Sequence, residues 1–164
     1  MKSVVPRALI VLGALLALGA VNVAVVGKER IKRDGDIVYL PLAPVDPRSL
    51  VQGDYMALRF ALAREIAGRD EAAHHVEREG EVAFAALTLD DKRVARLAAD
   101  AAPAAMKLRY RVRGGRICLG TDAFFFEEGT AERFRAARYG EFRVDRRSGE
   151  AVLVGLRNDG LEAL

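Results

Sequence analysis

The sequence predicts a mainly β domain, an antiparallel barrel or sandwich, carried on one N-terminal transmembrane helix and completed by one or two short helices. Three observations carry this. Residues 8–26 contain no charged side chain. From residue 36 onward, short apolar runs alternate with polar residues and are broken by turn-forming glycine, proline and aspartate. The 164 residues are 51% hydrophobic and 30% charged, enough apolar material for one packed domain and too much for a disordered chain.

The uncharged run, ALIVLGALLALGAVNVAVV, would extend roughly 28 Å as a helix, close to the thickness of the hydrocarbon layer. Its apolar character on every face argues against a buried helix of a soluble core. A cleaved leader is the main rival: Lys2 and Arg7 precede the run, and Ala17 and Gly19 offer small residues for cleavage. The run continues seven residues beyond that position, so residues 1–33 are expected to be an uncleaved signal anchor and 34–164 the β domain. Within the span, Gly13, Ala17, Ala20, Ala24 and Gly27 follow 4-3-4-3 spacing and form a small-residue stripe on which a second helix could pack closely. Asn22 falls on the opposite face and is expected to snorkel towards the interface.

Charge is unevenly divided. Residues 1–33 hold Lys2, Arg7, Lys28, Arg30, Lys32 and Arg33 against Glu29, a net +5, so the rest of this +3 chain is slightly acidic. The basic excess flanks the span, which removes support for nucleic-acid binding. Two cations before the span and four after it would, by count, keep the C-terminal domain cytoplasmic. The single cysteine, Cys118, excludes an internal disulfide, and its apolar neighbours suggest a buried, inert thiol.

Residues 36–42 read as a strand leading into Pro41, Pro44 and Pro47, a rigid polyproline-like exit loop. Residues 54–62 read as one strand with Asp54, Met56, Leu58, Phe60 and Leu62 on the core face and Tyr55, Ala57, Arg59 and Ala61 on the other. Asp54 is then expected to latch onto the N–H groups of the 48–53 loop, with Gly53 supplying the backbone freedom. Residues 63–80 read as an exposed helix or loop. His74 and His75 are adjacent there, so they diverge on a helix and do not form the i, i+4 pair of a zinc site; no metal site is expected. Residues 81–89 and 93–97 read as strands joined at Asp90-Asp91, and 98–105 as a linker.

Residues 106–113 alternate most regularly. Met106, Leu108, Tyr110 and Val112 face inward, Lys107, Arg109, Arg111 and Arg113 outward, and Gly114-Gly115 turns the chain into a second strand. The four cations form a ridge that could face anionic headgroups, acidic polymers or an acidic protein, although a solvated face is the plainer reading. Residues 123–126 (AFFF) read as an interior strand, followed by Glu127, Glu128 and a helix over 130–138 capped by Thr130. A final hairpin turns at Ser148-Gly149 between strands 143–145 and 151–156.

Gly53-Asp54-Tyr55-Met56-Ala57-Leu58-Arg59-Phe60 resembles the signature of the GDYXXLXY family, with phenylalanine at the last position in place of tyrosine. Residues 45–50 (VDPRSL), 126–129 (FEEG) and 137–141 (ARYGE), with Val144-Asp145, are similar to its other recurring blocks. The family is one of membrane-anchored bacterial proteins. The resemblance implies an envelope protein in the cytoplasmic membrane with an extracytoplasmic C-terminal domain, acting with a multi-pass membrane protein, and it supplies no catalytic residue. The leading expectation is therefore a membrane-tethered binding or scaffolding module. A membrane-bound hydrolase using Asp54 and Glu128 in one polar pocket is the alternative. No cofactor, nucleic acid or small-molecule substrate is implied.

Overall fold

The structure is a computed structural model describing residues 4–43, 51–52, 55–72, 80–99 and 104–164. It is β-rich, as the alternation predicts. Helix α1 (Val4–Asp34) leads into β1 (Asp36–Pro41), and two short pieces, β2 (Val51–Gln52) and β3 (Tyr55–Ala57), precede helix α2 (Ala61–Ala72). A long stretch of sheet follows: β4 (Val82–Leu89), β5 (Ala95–Leu97), β6 (Met106–Arg113), β7 (Arg116–Cys118) and β8 (Ala123–Phe125). Helix α3 (Ala131–Phe134) and the hairpin β9 (Tyr139–Val144) and β10 (Ala151–Arg157) end the chain.

Three antiparallel sheets share one core. Their orders are β1-β9-β10, β2-β3-β8 and β5-β4-β6-β7. The first joins the last where Tyr39 of β1 bridges to Val94 and donates its N–H to the Arg93 carbonyl at 3.0 Å. The first joins the second where Leu42 bridges to Phe60. The result is a half-barrel filled by Val38, Leu40, Leu87, Leu108, Phe142, Val144 and Leu156, all essentially inaccessible. Leu108 lies on the inward face that the alternation over 106–113 predicts.

The 106–113 strand and its glycine turn form as expected, with Gly114 and Gly115 at φ 56° and 67°, the left-handed pair a two-residue hairpin requires. At the 90–94 turn the Asp90 carboxylate accepts the N–H groups of Lys92 and Val94 at 2.9 and 2.8 Å.

Several expectations are corrected. The strand expected over 54–62 ends early: β3 stops at Ala57, and Leu62, inward-facing as expected, lies in the first turn of α2. The run Ala61 to Ala67 consists mostly of good helix formers, and Leu62 and Ile66, four apart, place one helix face in the core. Helix α2 is thus packed, where an exposed segment was expected. The AFFF strand is an edge strand of its sheet. Phe124 and Phe126 both stack around Phe134 of α3 with centroids at 5.2 Å, while Phe125 points out and is 76% exposed. Thr130 does not cap α3: its hydroxyl donates back to the Glu127 carbonyl at 2.6 Å, and the helix is a single four-residue turn. The strand expected to begin at Arg143 begins at Tyr139 and is the centre of its sheet.

Candidate functional site

The apolar helix and the domain meet without a hinge. Helix α1 continues past the uncharged run to Asp34, and after Gly35 the chain is already in β1. A span of 26 residues, Leu9–Asp34, with mean hydropathy 2.6 in its most apolar stretch, is long enough to cross a membrane, and that stretch has no residue buried in the protein. Its last turns pack on β9 and β10 through Ile31, which is buried. Lys28 is ion-paired to Glu150, and Glu150 also receives Arg109 at 3.2 Å. Gly35 sits so tightly that a Cβ there would lie 2.5 Å from the Ile31 carbonyl oxygen and 3.1 Å from the Val144 nitrogen. Arg143 donates to the Gly35 carbonyl at 3.0 Å, and Asp36 pairs with Arg146. The basic flank is therefore partly structural: Lys28 is committed to the domain, while Arg33 pairs with its neighbour Asp34.

Along the span, Gly13, Ala17, Ala20, Ala24 and Gly27 are all exposed, and a Cβ at Gly13 or Gly27 would meet nothing within 4 Å. The stripe is open to a neighbouring helix. Asn22 donates to the Leu18 carbonyl at 2.9 Å, so its amide is satisfied inside its own helix instead of reaching for the interface.

Of the signature, Gly53 and Asp54 lie outside the described residues, and with them the expected latch on the 48–53 loop. Residues 55–60 stitch two sheets together. Tyr55, Met56 and Ala57 pair with Phe125, Phe124 and Ala123; then Leu58 donates its N–H to Asp122, and the Arg59 carbonyl accepts Ala43. Met56, Leu58 and Phe60 are buried and Tyr55 is 38% exposed, so the two faces are those the alternation predicts. Phe60, where the signature has tyrosine, packs edge-on against Phe142 at 5.3 Å and over Gly140, where a Cβ would come within 2.9 Å of its ring. Glycine at 140 makes room for this ring.

Outward, Tyr55 and Phe125 stand side by side with ring centroids 5.9 Å apart. The two neighbouring rings share the solvent side of a small sheet. On the other side of the segment, Leu58, Phe60, Ala63, Ala67 and Ile117 line a cavity of about 230 Å³, with Arg59, Arg64, Arg116 and Asp122 supplying its polar groups.

The ridge is only partly a free row. Arg109 is paired with Glu150, and Lys107 lies over the exposed Phe84 ring at 5.7 Å. Arg111 and Arg113 are exposed and have no ion pair among the described residues. Cys118 stands opposite Arg111 on the same face and is half-buried, its thiol 3.8 Å from the Arg116 carbonyl; the expected buried thiol is thus corrected.

Glu128 is exposed in the turn after β8, and its expected companion, Asp54, lies outside the described residues. Among the described residues no three His, Cys, Asp or Glu side chains converge as metal ligands, and His74 and His75 are not among those residues.

Sequence reading missed the Lys28–Glu150–Arg109 junction and the buried Glu141, which pairs with Arg157. In the β9–β10 hairpin a register shift between Leu153 and Gly155 sets Glu141 opposite Gly155, and Arg157, two residues on, donates to the Glu141 carboxylate.

No curated protein and no solved structure matches the chain. The sequence pattern of the GDYXXLXY protein family matches residues 17–156, from within the apolar helix to the last strand. By this match over most of its length, the chain belongs to the GDYXXLXY protein family.

Proposed function

We propose that this protein is a membrane-tethered binding or scaffolding module that holds its β domain in a fixed orientation on the extracytoplasmic side of the cytoplasmic membrane and docks with an integral membrane protein. The hinge-free junction of α1 with β9 and β10 carries this reading. Retention at a membrane alone needs only a flexible linker. A stiff junction fixes the height and attitude of the domain, which matters when the target lies in the same bilayer. The small-residue stripe of the span and the Tyr55–Phe125 pair are then two parts of one contact surface.

Site-specific photo-crosslinking in cells tests it. A photoreactive residue at Ala20 and one at Phe125 are expected to capture the same integral membrane protein. A ten-residue Gly/Ser insertion after Gly35 should abolish the adduct at 125 and leave that at 20. Adducts with unrelated proteins at the two positions, or insensitivity to the insertion, would contradict it. A reporter active only outside the cytoplasm, fused after Leu164, tests the orientation separately.

A further inference from the structure

Four cations and two carboxylates converge at the root of the anchor. Lys28, Arg109, Arg111 and Arg113 line one cavity of about 230 Å³ together with Glu150 and Asp122. Lys28 follows the last apolar residue of the uncharged run, Val26, by two positions, so in a bilayer its ammonium lies at headgroup depth. Glu150 draws Arg109 to the same level, since it holds both cations. Arg111 and Arg113 follow along β6 at about 7 Å per two residues. Glu150 is shared by two cations, and Arg111 and Arg113 have no ion pair among the described residues, so the cavity carries surplus positive charge.

We propose that this cavity binds the phosphate of an anionic phospholipid headgroup from the leaflet that the domain faces. Guanidinium groups present paired N–H donors that match phosphate oxygens, and a cavity at the membrane surface keeps the site within reach of a lipid that remains in its leaflet. The site would limit the tilt of anchor and domain together, which the stiff junction makes one body. It rests on the span lying in a bilayer and is independent of any protein partner.

Cys118, the sole cysteine of the chain, lines the same cavity and reports occupancy. Full-length protein in a non-ionic detergent is alkylated by a maleimide in the presence of dioctanoyl phosphatidylglycerol, dioctanoyl phosphatidylcholine or inorganic phosphate at equal concentration. Phosphatidylglycerol alone is expected to slow the reaction, less so as salt rises. The double variant R111Q/R113Q, altered only on the exposed face, should need roughly 25-fold more lipid for the same protection, about fivefold per arginine, whereas R111K/R113K stays within a few fold of wild type. Lipid retention in native mass spectrometry provides a readout that does not involve the thiol. Equal protection by phosphatidylcholine, equal protection by inorganic phosphate, or an unchanged response in R111Q/R113Q with wild-type circular dichroism would each overturn the proposal.

Discussion

Lys28 and Glu150, 122 positions apart in the sequence, are joined in an ion pair that ties the anchor helix to the hairpin closing the domain. The same carboxylate holds Arg109, so helix, hairpin turn and β6 meet at one group. Both pairs are partly exposed and each contributes little by itself, up to about 1 kcal/mol. The tighter constraint is steric, at Gly35.

Replacement of Gly35 by alanine therefore costs more than removal of the ion pairs. A methyl group 2.5 Å from a backbone oxygen has no flexible neighbour to displace, and about 1–3 kcal/mol is expected for G35A against about 1 kcal/mol or less for E150A. Denaturant titration of the full chain in detergent checks the order of the two.

Glu141 and Arg157 offer a double-mutant cycle. Glu141 is 7% exposed and the arginine a quarter exposed, so R157M, which leaves a buried carboxylate without its cation, should destabilise by about 2–3 kcal/mol, somewhat less than for a fully buried pair. E141L/R157M should recover most of that loss. Equal losses in the single and double variants would contradict the assignment.

The aromatic residues separate packing from contact. Phe60 and Phe134 are buried, and alanine at either should cost about 3–5 kcal/mol. Phe125 is 76% exposed, and F125A should change stability by less than about 0.5 kcal/mol while weakening the photo-crosslink formed by a photoreactive residue placed at the neighbouring Tyr55. Loss of the adduct together with a large loss of stability would mean that Phe125 is a core residue.

Strand faces and turns were legible because each is decided within a few residues: the alternation over 106–113 and Gly114-Gly115 specify their geometry locally. The span was legible because a run of uncharged residues needs no partner to be recognised. What escaped was set by distant contacts. AFFF reads as an interior strand until Phe134 is seen to cover two of its three rings, leaving the third outside. Lys28 reads as one of a basic flank until Glu150 arrives from the far end of the chain. Leu62 kept its inward face although strand gave way to helix, since burial of the side chain, rather than the local backbone, was what the pattern encoded.

Acid should loosen the last hairpin. The Asp145 carboxyl is held below its usual value, chiefly by the Ser148 N–H at 2.7 Å, with the Ser148 hydroxyl and the Arg147 N–H adding to it. A carboxyl whose folded pKa lies below the unfolded value of about 4 stabilises the fold fully above that value and loses the contribution as pH falls through the folded one. D145A is therefore expected to be less stable than wild type by about 1 kcal/mol at neutral pH, with the gap narrowing below pH about 4. Thermal melts of both proteins between pH 7 and 3 check the sign.

The permanence of the tether is tested most directly by alkaline extraction of native membranes followed by intact-mass measurement of the extracted and retained fractions. An uncleaved anchor predicts protein in the carbonate-resistant pellet with a mass that includes residues 8–26. Release into the supernatant with an amino terminus just beyond Gly19 would contradict it.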